Sequence, residues 1–235
     1  MKFPKYTKKN PSPNYFKLIE IYSDMHKRGK RKLNENGEIE FSSPEDTFPG
    51  KQTLQHAGTI KQLCDHYNPS SMLDFGSGKS GHYNIPINDK NGNQYKNLKQ
   101  FWGLEHVDAY EPALGSNMSD KIYDSVICTD VIEHVYFGDV FWTLHELFKK
   151  AKMFVYVNIS CDLTKTYLPN NENVHITVRS PDYWNGVLDS ISAEYEGIDY
   201  VLACTSNPAV TKGNKKYFYY QRKNLTNLND KFTVS

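Results

Sequence analysis

Apolar residues recur along this chain in two patterns. Short apolar runs bounded by turn-forming residues predict buried strands, whereas apolar residues three or four positions apart predict helices with one buried face. From residue 52 onwards strands and helices are both predicted, in a succession typical of an α/β protein with parallel strands. The predicted strands are 71–75, 105–110, 123–129, 152–159, 198–204 and 215–221, and the predicted helices are 14–28, 52–67, 138–150 and 181–193.

The first 51 residues differ in character from the rest. Residues 1–13 are basic and contain several prolines, which predicts a loose arm. The helix over 14–28 follows, with Asn14 as its N-cap candidate. Residues 33–51 have few periodic apolar positions and indicate a long loop. Loops of this length in compact domains are often functional, so we expect either a lid formed by residues 29–50 or a plain surface loop.

Composition narrows the class of protein. The 235 residues suit one α/β domain with short additions, and Lys+Arg 28 against Asp+Glu 27 leaves the net charge near zero. This balance makes a nucleic-acid partner unlikely, because duplex binders usually carry a basic field. The four cysteines are far apart and form no zinc pattern, so no metal site is predicted. No apolar run is long enough to span a membrane, and we expect a cytoplasmic protein.

The stretch from Ser71 to Gly81 has the strongest signal for ligand binding. A buried strand there runs into a glycine cluster, and glycines let backbone N–H groups approach a ligand closely. Gly78-Lys79-Ser80 matches the end of a P-loop, but Leu73 stands where that motif requires its first glycine. A turn that binds no ligand is the simplest alternative.

The same glycines also match a dinucleotide-binding pattern. Gly76, Gly78 and Gly81 satisfy G-x-G-x-x-G, which is weak evidence by itself. Asp74 stands two residues before the first glycine, where its carboxylate would repel a pyrophosphate. A ligand that carries an ammonium and a sulfonium and no phosphate would suit Asp74 better.

Three stretches of the chain resemble motifs of the class I S-adenosylmethionine-dependent methyltransferases. They are Leu-Asp-Phe-Gly-Ser-Gly at 73–78, Val-Asp-Ala-Tyr-Glu-Pro at 107–112 and the run Tyr-Asp-Ser-Val-Ile-Cys-Thr-Asp-Val-Ile-Glu-His-Val at 123–135. They occur in the order of that family, and the resemblance covers roughly residues 52–205. It implies a doubly wound, Rossmann-like methyltransferase sheet with an antiparallel C-terminal edge hairpin, and S-adenosylmethionine as the cofactor. The residues it implies for cofactor binding are Asp74, Gly76, Ser77, Gly78, Glu111 and Asp130.

Glu111 is expected to bind the ribose. A carboxylate can accept hydrogen bonds from both ribose hydroxyls, and ligands lie at the carboxyl ends of parallel strands. Asp108 is the second candidate, and a surface carboxylate before a proline turn is the simpler alternative. Only eleven residues separate Glu111 from Tyr123, so the third strand of the family is expected to be short or missing. The adenine contact is then open, with residues 117–120 as the only candidates.

Two groups of polar residues are candidates for contact with a methyl acceptor. Asp130, Glu133 and His134 follow the fourth strand, where His134 suits a general base or a wall of the cofactor site. In the later loop His175 is a second base candidate, and Arg179 could hold a carboxylate or phosphate of the acceptor. The alternative is a polar loop that only covers the edge of the sheet.

These observations favour an S-adenosylmethionine-dependent methyltransferase that acts on a small, polar, anionic acceptor such as a sugar, nucleotide or small acid. One alternative is a nicotinamide-binding oxidoreductase that uses the G-x-G-x-x-G turn. Another is a degenerate methyltransferase fold that serves as a binding module. We expect an arm, helix and lid-like loop over 1–51, the methyltransferase domain over 52–222 and a polar tail over 223–235.

Overall fold

A computed structural model describes residues 6–206 and the backbone of 216–221. The predicted polar tail over 223–235 lies outside these residues. The α-helices are α1 Pro13–Arg28, α2 Ala57–Tyr67, α3 Leu98–Trp102, α4 Phe137–Lys150 and α5 Pro181–Ser192. The strands are β1 Lys30–Leu33, β2 Ile39–Ser42, β3 Ser71–Phe75, β4 Ile87–Asn88, β5 Gln94–Tyr95, β6 His106–Tyr110, β7 Tyr123–Thr129, β8 Ala151–Ser160, β9 Thr166–Tyr167, β10 Asp199–Ser206 and β11 Lys216–Gln221.

The central sheet has six strands in the order β11-β10-β8-β7-β3-β6. Five of them are parallel, and β11 pairs antiparallel with β10 at the edge, as predicted for the C-terminal hairpin. The chain first proceeds from β3 outwards to β6 and then returns to β7 on the other side of β3. The order therefore reverses between β3 and β7, where open α/β sheets form their binding crevice.

Helices flank both faces of the sheet, an arrangement compatible with a Rossmann-like fold. Alternate residues of each strand point to opposite faces, so Val126 joins the core beneath α4 and α5, whereas Ile127 joins the core beneath α2 and α3. Both side chains are fully buried. Burial on both faces explains why the strands appear in the sequence as continuous apolar runs.

The described residues contain no counterpart of the third strand that the methyltransferase resemblance implies. Residues between Glu111 and Tyr123 form only a short 3₁₀ helix, Pro112–Leu114, and β6 is the edge strand on this side. No long helix follows the glycine turn in the described residues. The turn leads into the 3₁₀ helix Gly81–Asn84, the short β4–β5 hairpin and the single turn of α3.

The N-terminal helix begins at Pro13, one residue earlier than predicted, and its N-cap lies two residues before the predicted one. Ser12 is its N-cap, because the Ser12 hydroxyl accepts a hydrogen bond of 3.2 Å from the N–H of Tyr15, so the assignment of Asn14 as the cap was wrong. Ser12 also donates hydrogen bonds to the buried carboxylate of Asp139 in α4. Lys8 forms an ion pair of 2.9 Å with Glu146. The described part of the predicted loose arm is therefore held against α4.

The predicted long loop contains regular structure. Strands β1 and β2 form an antiparallel hairpin, and β1 also pairs with β9 in the loop that follows β8. Arg31 strengthens this junction by donating hydrogen bonds to the carbonyl of Leu168 and the side chain of Asn171. Residues before 52 thus share a small sheet with the rest of the domain. The hairpin was not predicted because each strand has only four residues and β1, Lys-Arg-Lys-Leu, has no alternating apolar residues.

Candidate ligand-binding site

One cavity of about 490 Å³ lies over the carboxyl ends of the parallel strands. This is the reversal point between β3 and β7, and the volume falls within the range of about 300–1,000 Å³ that is usual for small-molecule sites. Helix α1 and the residues after β2 cover the cavity. The lining includes Tyr15, Leu18, Ile19, Tyr22, His26, Lys30, Phe48, Pro49, Gly50, Lys51, Phe75, Gly76, Ser77, Gly78, Glu111, Pro112, Ala113, Thr129, Asp130, Val131, His134, Ser160, Thr164 and His175.

The glycine turn after β3 forms one wall of the cavity, and its amide hydrogens point towards protein acceptors. Gly76 and Ser77 donate hydrogen bonds of 2.8 and 3.1 Å to the carbonyl of Tyr110 at the end of β6. Gly78 donates one of 3.0 Å to a carboxylate oxygen of Glu111. The first half of the turn is therefore bonded to the end of the neighbouring strand.

The second half of the turn is bonded to the segment that covers the cavity. Lys79 and Gly81 donate hydrogen bonds of 2.9 Å to the carbonyls of Phe48 and Pro49, and Ser80 donates one within the turn. Gly78 has a φ of +55°, and an added Cβ would lie 2.5 Å from the Phe48 carbonyl oxygen. Only glycine fits this close approach. Residues 48–50 thus occupy the position predicted for a lid. That this lid moves stays a prediction.

Glu111 lines the cavity and accepts two backbone hydrogen bonds. One carboxylate oxygen accepts from Gly78, and the other accepts from Ala113 at 3.1 Å. Burial raises the pKa of Glu111 above its usual value, although the two hydrogen bonds oppose this shift. The side chain therefore joins β6 to the glycine turn at the place predicted for a ribose ligand. Asp108, the second candidate, points away from the cavity and accepts a hydrogen bond from Tyr123.

Asp74 does not face the cavity. Its carboxylate is 1% exposed and accepts hydrogen bonds from His82, at 2.9 Å, and from the hydroxyl of Tyr83, at 3.1 Å. Strand alternation is the reason, because Phe75 lines the cavity and its neighbour must point to the opposite face. Asp74 is therefore not among the residues that line the cavity, and its expected contact with the amine side of a cofactor stays a prediction. Asp74 supports the turn from beneath.

Asp130 follows β7 and lines the cavity beside the glycine turn. Its φ of +54° is unusual for a residue other than glycine. The backbone is held there by a hydrogen bond of 3.2 Å from the Asp130 N–H to the Asn158 carbonyl. The next residue, Val131, packs against Gly76, since a Cβ added to Gly76 would lie 2.3 Å from the Val131 side chain. The ends of β3 and β7 are therefore in direct contact, as the sheet topology predicts.

The two predicted histidines meet in the wall of the same cavity, next to Tyr22 of α1. The rings of His134 and His175 are 4.9 Å apart and nearly perpendicular. Removal from water lowers the pKa of both imidazoles, and for His134 the lowering is large. Nδ1 of His134 lies 2.6 Å from the hydroxyl of Tyr22 in α1. Both rings are therefore predominantly neutral near pH 7, and Nε2 of His175 keeps a lone pair because its proton is on Nδ1 facing the Asp162 carbonyl.

Arg179, which was predicted to hold the acceptor, does not line this cavity. Its exposed guanidinium is 5.4 Å from the ring centre of Phe137 and 5.9 Å from that of Tyr183, on the outer surface of α4 and α5. The chain turns away from the cavity after His175, because the backbone of Thr177 is bonded to that of Glu133. The cations that do line the cavity are Lys30 and Lys51. Burial lowers the pKa of Lys30, which lies 5.0 Å from the ring centre of Phe48.

The part of the site that was not predicted from the sequence is the cover that α1 forms. Tyr15, Leu18, Ile19 and Tyr22 line the cavity along one face of α1. Their helical spacing was visible in the sequence, but such a stripe equally predicts packing against a core. None of the residues at 117–120 lines the cavity, whereas Pro112 and Ala113 do.

A scan of family models, a search of curated proteins and a search of solved structures each found nothing that matches this chain. Within the described residues, every helix is too short or too polar to cross a bilayer.

Proposed function

We propose that this protein is an S-adenosylmethionine-dependent methyltransferase that acts on a small, polar, anionic acceptor. The observation that carries the proposal is the hydrogen bonding of the glycine turn. All six N–H groups from Gly76 to Gly81 donate to protein acceptors, and the Glu111 carboxylate is one of them. The turn thus resembles a nucleotide-binding turn in sequence, yet has no free donors for a phosphate. A nucleoside ligand without phosphates fits these constraints.

The same observation disfavours the two phosphate-binding alternatives. A P-loop and a dinucleotide turn both hold phosphate through free backbone N–H groups and the N-terminus of a following α-helix. Here the turn continues into a 3₁₀ helix of four residues, Gly81–Asn84. The Glu111 carboxylate also occupies the place where a phosphate would need a donor. Nicotinamide and nucleoside triphosphate ligands therefore fit the turn poorly.

The residues around the turn suit the proposed cofactor. Glu111 would hold the ribose hydroxyls with its remaining lone pairs, and Asp130 would face the positively charged methionine part beside Gly76. Pro112 and Ala113 offer an apolar surface next to Glu111 for the adenine. When bound, the cofactor supplies an electrophilic methyl group. The protein's contribution is to hold both reactants in line, which accounts for much of the acceleration in such displacements.

The part of the cavity around His134 and His175 suits an acceptor that needs orientation. Lys30 supplies a positive charge there, in the role first expected of Arg179, and Thr164 supplies a hydroxyl. His175 is held with its Nδ1 facing the carbonyl of Asp162 at 2.5 Å, so Nδ1 carries the proton and Nε2 can accept one. This imidazole can therefore receive a proton from an acceptor hydroxyl.

Ligand binding tests the proposal directly. We expect S-adenosylhomocysteine to raise the melting temperature and to bind in calorimetry, whereas NAD and ATP produce no shift at equal concentration. Stabilisation by NAD alone would replace the proposal with the oxidoreductase alternative. Failure of all three ligands would leave only the degenerate binding module.

A further inference from the structure

Three potential metal ligands converge at the histidine end of the cavity. Glu133 and His134 lie in the 3₁₀ helix Ile132–His134 after β7, and His175 comes from the loop after β8. One ligand atom from each of the three residues lies within 4.8 Å of the other two. Residues 41 positions apart in the sequence thus form a compact set of two imidazoles and one carboxylate.

The carboxylate of Glu133 has one oxygen with no partner. Its side chain is 0% exposed, and one oxygen accepts a hydrogen bond of 2.8 Å from the N–H of Ser160. The other oxygen, Oε2, is buried and has no hydrogen bond from the described residues. An unpaired buried carboxylate oxygen is costly, since it has lost water without gaining a donor. A positive ion beside Oε2 would remove that cost.

In each of the two histidines a hydrogen bond holds one ring nitrogen, as is usual for histidines that bind metals. His175 donates from Nδ1 to the Asp162 carbonyl, which leaves the Nε2 lone pair free. His134 is held at Nδ1 by the hydroxyl of Tyr22. Such outer hydrogen bonds fix the tautomer and orientation of metal-binding histidines. A contact between the His134 ring and the Val174 backbone competes for a ring nitrogen, so ion binding would have to displace it.

We propose that Glu133, His134 and His175 bind one divalent transition-metal ion, of the class of Mn²⁺, Co²⁺ or Zn²⁺. Two imidazoles and one carboxylate favour these ions over Mg²⁺ and Ca²⁺, which prefer oxygen ligands alone. His134 and His175 line the cavity, so the remaining coordination positions face its interior. If the proposed methyl transfer is correct, an acceptor oxygen can occupy one of those positions, and with the ion bound the acidity of that oxygen would be raised by the metal instead of its proton being taken by His175. That last step rests on the proposed function, whereas the metal site does not.

Titration of the untagged, chelator-treated full-length protein with CoCl₂ tests the site. We expect one equivalent to bind and to develop the visible absorption of Co²⁺ with nitrogen ligands. His175→Gln and Glu133→Gln should each weaken binding at least about tenfold, as loss of a ligand costs more than loss of an outer-shell group. His66→Gln removes an exposed histidine in α2 and should bind as wild type does. Calorimetry with MgCl₂ should show much weaker binding than with MnCl₂.

Two results would overturn the proposal: no stoichiometric Co²⁺ binding by the wild type, or equal affinities in wild type and His175→Gln. Circular dichroism establishes that each variant is folded, and His175→Gln suffices if the buried Glu133→Gln variant fails to fold. Binding of S-adenosylhomocysteine is measured separately, without metal. Metal binding without cofactor binding would refute the proposed function alone, and the reverse result would refute the metal site alone.

Discussion

The carboxylate of Glu111 accepts a hydrogen bond of 3.0 Å from the backbone N–H of Gly78. This bond joins the end of β6 to the glycine turn after β3, at the point where the strand order reverses. The remaining lone pairs of Glu111 face the cavity. Glu111 thus accepts the Gly78 N–H that a phosphate would need as a donor, and it presents a carboxylate to a ligand with hydroxyl groups.

Glu111→Gln should weaken binding of S-adenosylhomocysteine by about 1–3 kcal/mol, because a charged acceptor is replaced by a neutral one. Isothermal titration calorimetry measures the difference. Glu105→Gln is the matched control, since Glu105 is exposed just before β6 and lies away from the cavity. Equal affinities in Glu111→Gln and Glu105→Gln would remove Glu111 from the site.

Gly78→Ala should destabilise the protein and abolish ligand binding, because the added Cβ would collide with the Phe48 carbonyl. Gly92→Ala is the control for backbone conformation. Gly92 also has a positive φ, of +82°, but a Cβ there meets nothing within 4 Å. The control should lose only about 1 kcal/mol, the usual cost of a left-handed alanine. Urea unfolding measures the free energy of unfolding of both variants. An equal decrease in the two would contradict the close approach of Phe48 to the turn.

Asp74→Ala should destabilise the fold by about 3 kcal/mol or more, since it leaves the buried groups of His82 and Tyr83 without their acceptor. Tyr83→Phe removes a single donor and should cost about 1 kcal/mol. Asp74→Asn, if folded, should keep an affinity for S-adenosylhomocysteine close to that of wild type. An Asp74→Asn protein of normal stability that no longer binds the ligand would instead place Asp74 in contact with it.

Acid should destabilise the protein partly through Asp124. Partial burial acts to raise the pKa of Asp124, but hydrogen bonds from the hydroxyls and N–H groups of Ser70 and Ser71 lower it to about 2. A carboxyl whose pKa is lower in the folded state stabilises the fold above its unfolded pKa and loses that effect as the pH falls. The contribution of roughly 2 kcal/mol should therefore disappear between about pH 4 and pH 2.

Urea unfolding of wild type and Asp124→Asn at several pH values measures this contribution. The variant should be less stable at pH 7 and should approach the wild type as the solution becomes acidic. Asp65→Asn is the control, because Asp65 is exposed and pairs with Lys61 on the surface of α2. A constant difference between wild type and Asp124→Asn across the pH range would contradict the assignment.

Several features of the fold could be predicted from local sequence. The strands β3, β7, β8 and β10 were found because each is a run of apolar residues bounded by turn formers, which is how a strand buried on both faces appears. The missing third strand followed from chain length alone. The predicted start of α5 at residue 181 agrees with the structure, where the Ser180 side chain accepts a hydrogen bond from the N–H of Tyr183 and Pro181 is the first helical residue. In each case the determining interaction lies within a few residues.

Other features depend on which segments meet in space. The strands of the β1–β2 hairpin have only four residues each, too few for a clear pattern, and β1 pairs with β9, more than 130 residues later. Asp74 and Arg179 were assigned to a ligand from their positions in the chain, yet the direction of each side chain is set by strand alternation or by the path of the loop. No local pattern carries that information.

From the sequence alone came the α/β class, the glycine turn, Glu111 at the end of its strand and the two histidines as candidates. These follow from periodicity and from residue types next to strand ends, which are short-range properties of a chain. Only the tertiary structure showed that the amide hydrogens of the turn are all bonded within the protein and that Glu133, His134 and His175 converge. Both depend on contacts between segments distant in sequence. Such contacts form only when the strands assemble into the sheet and the loops at their ends pack together.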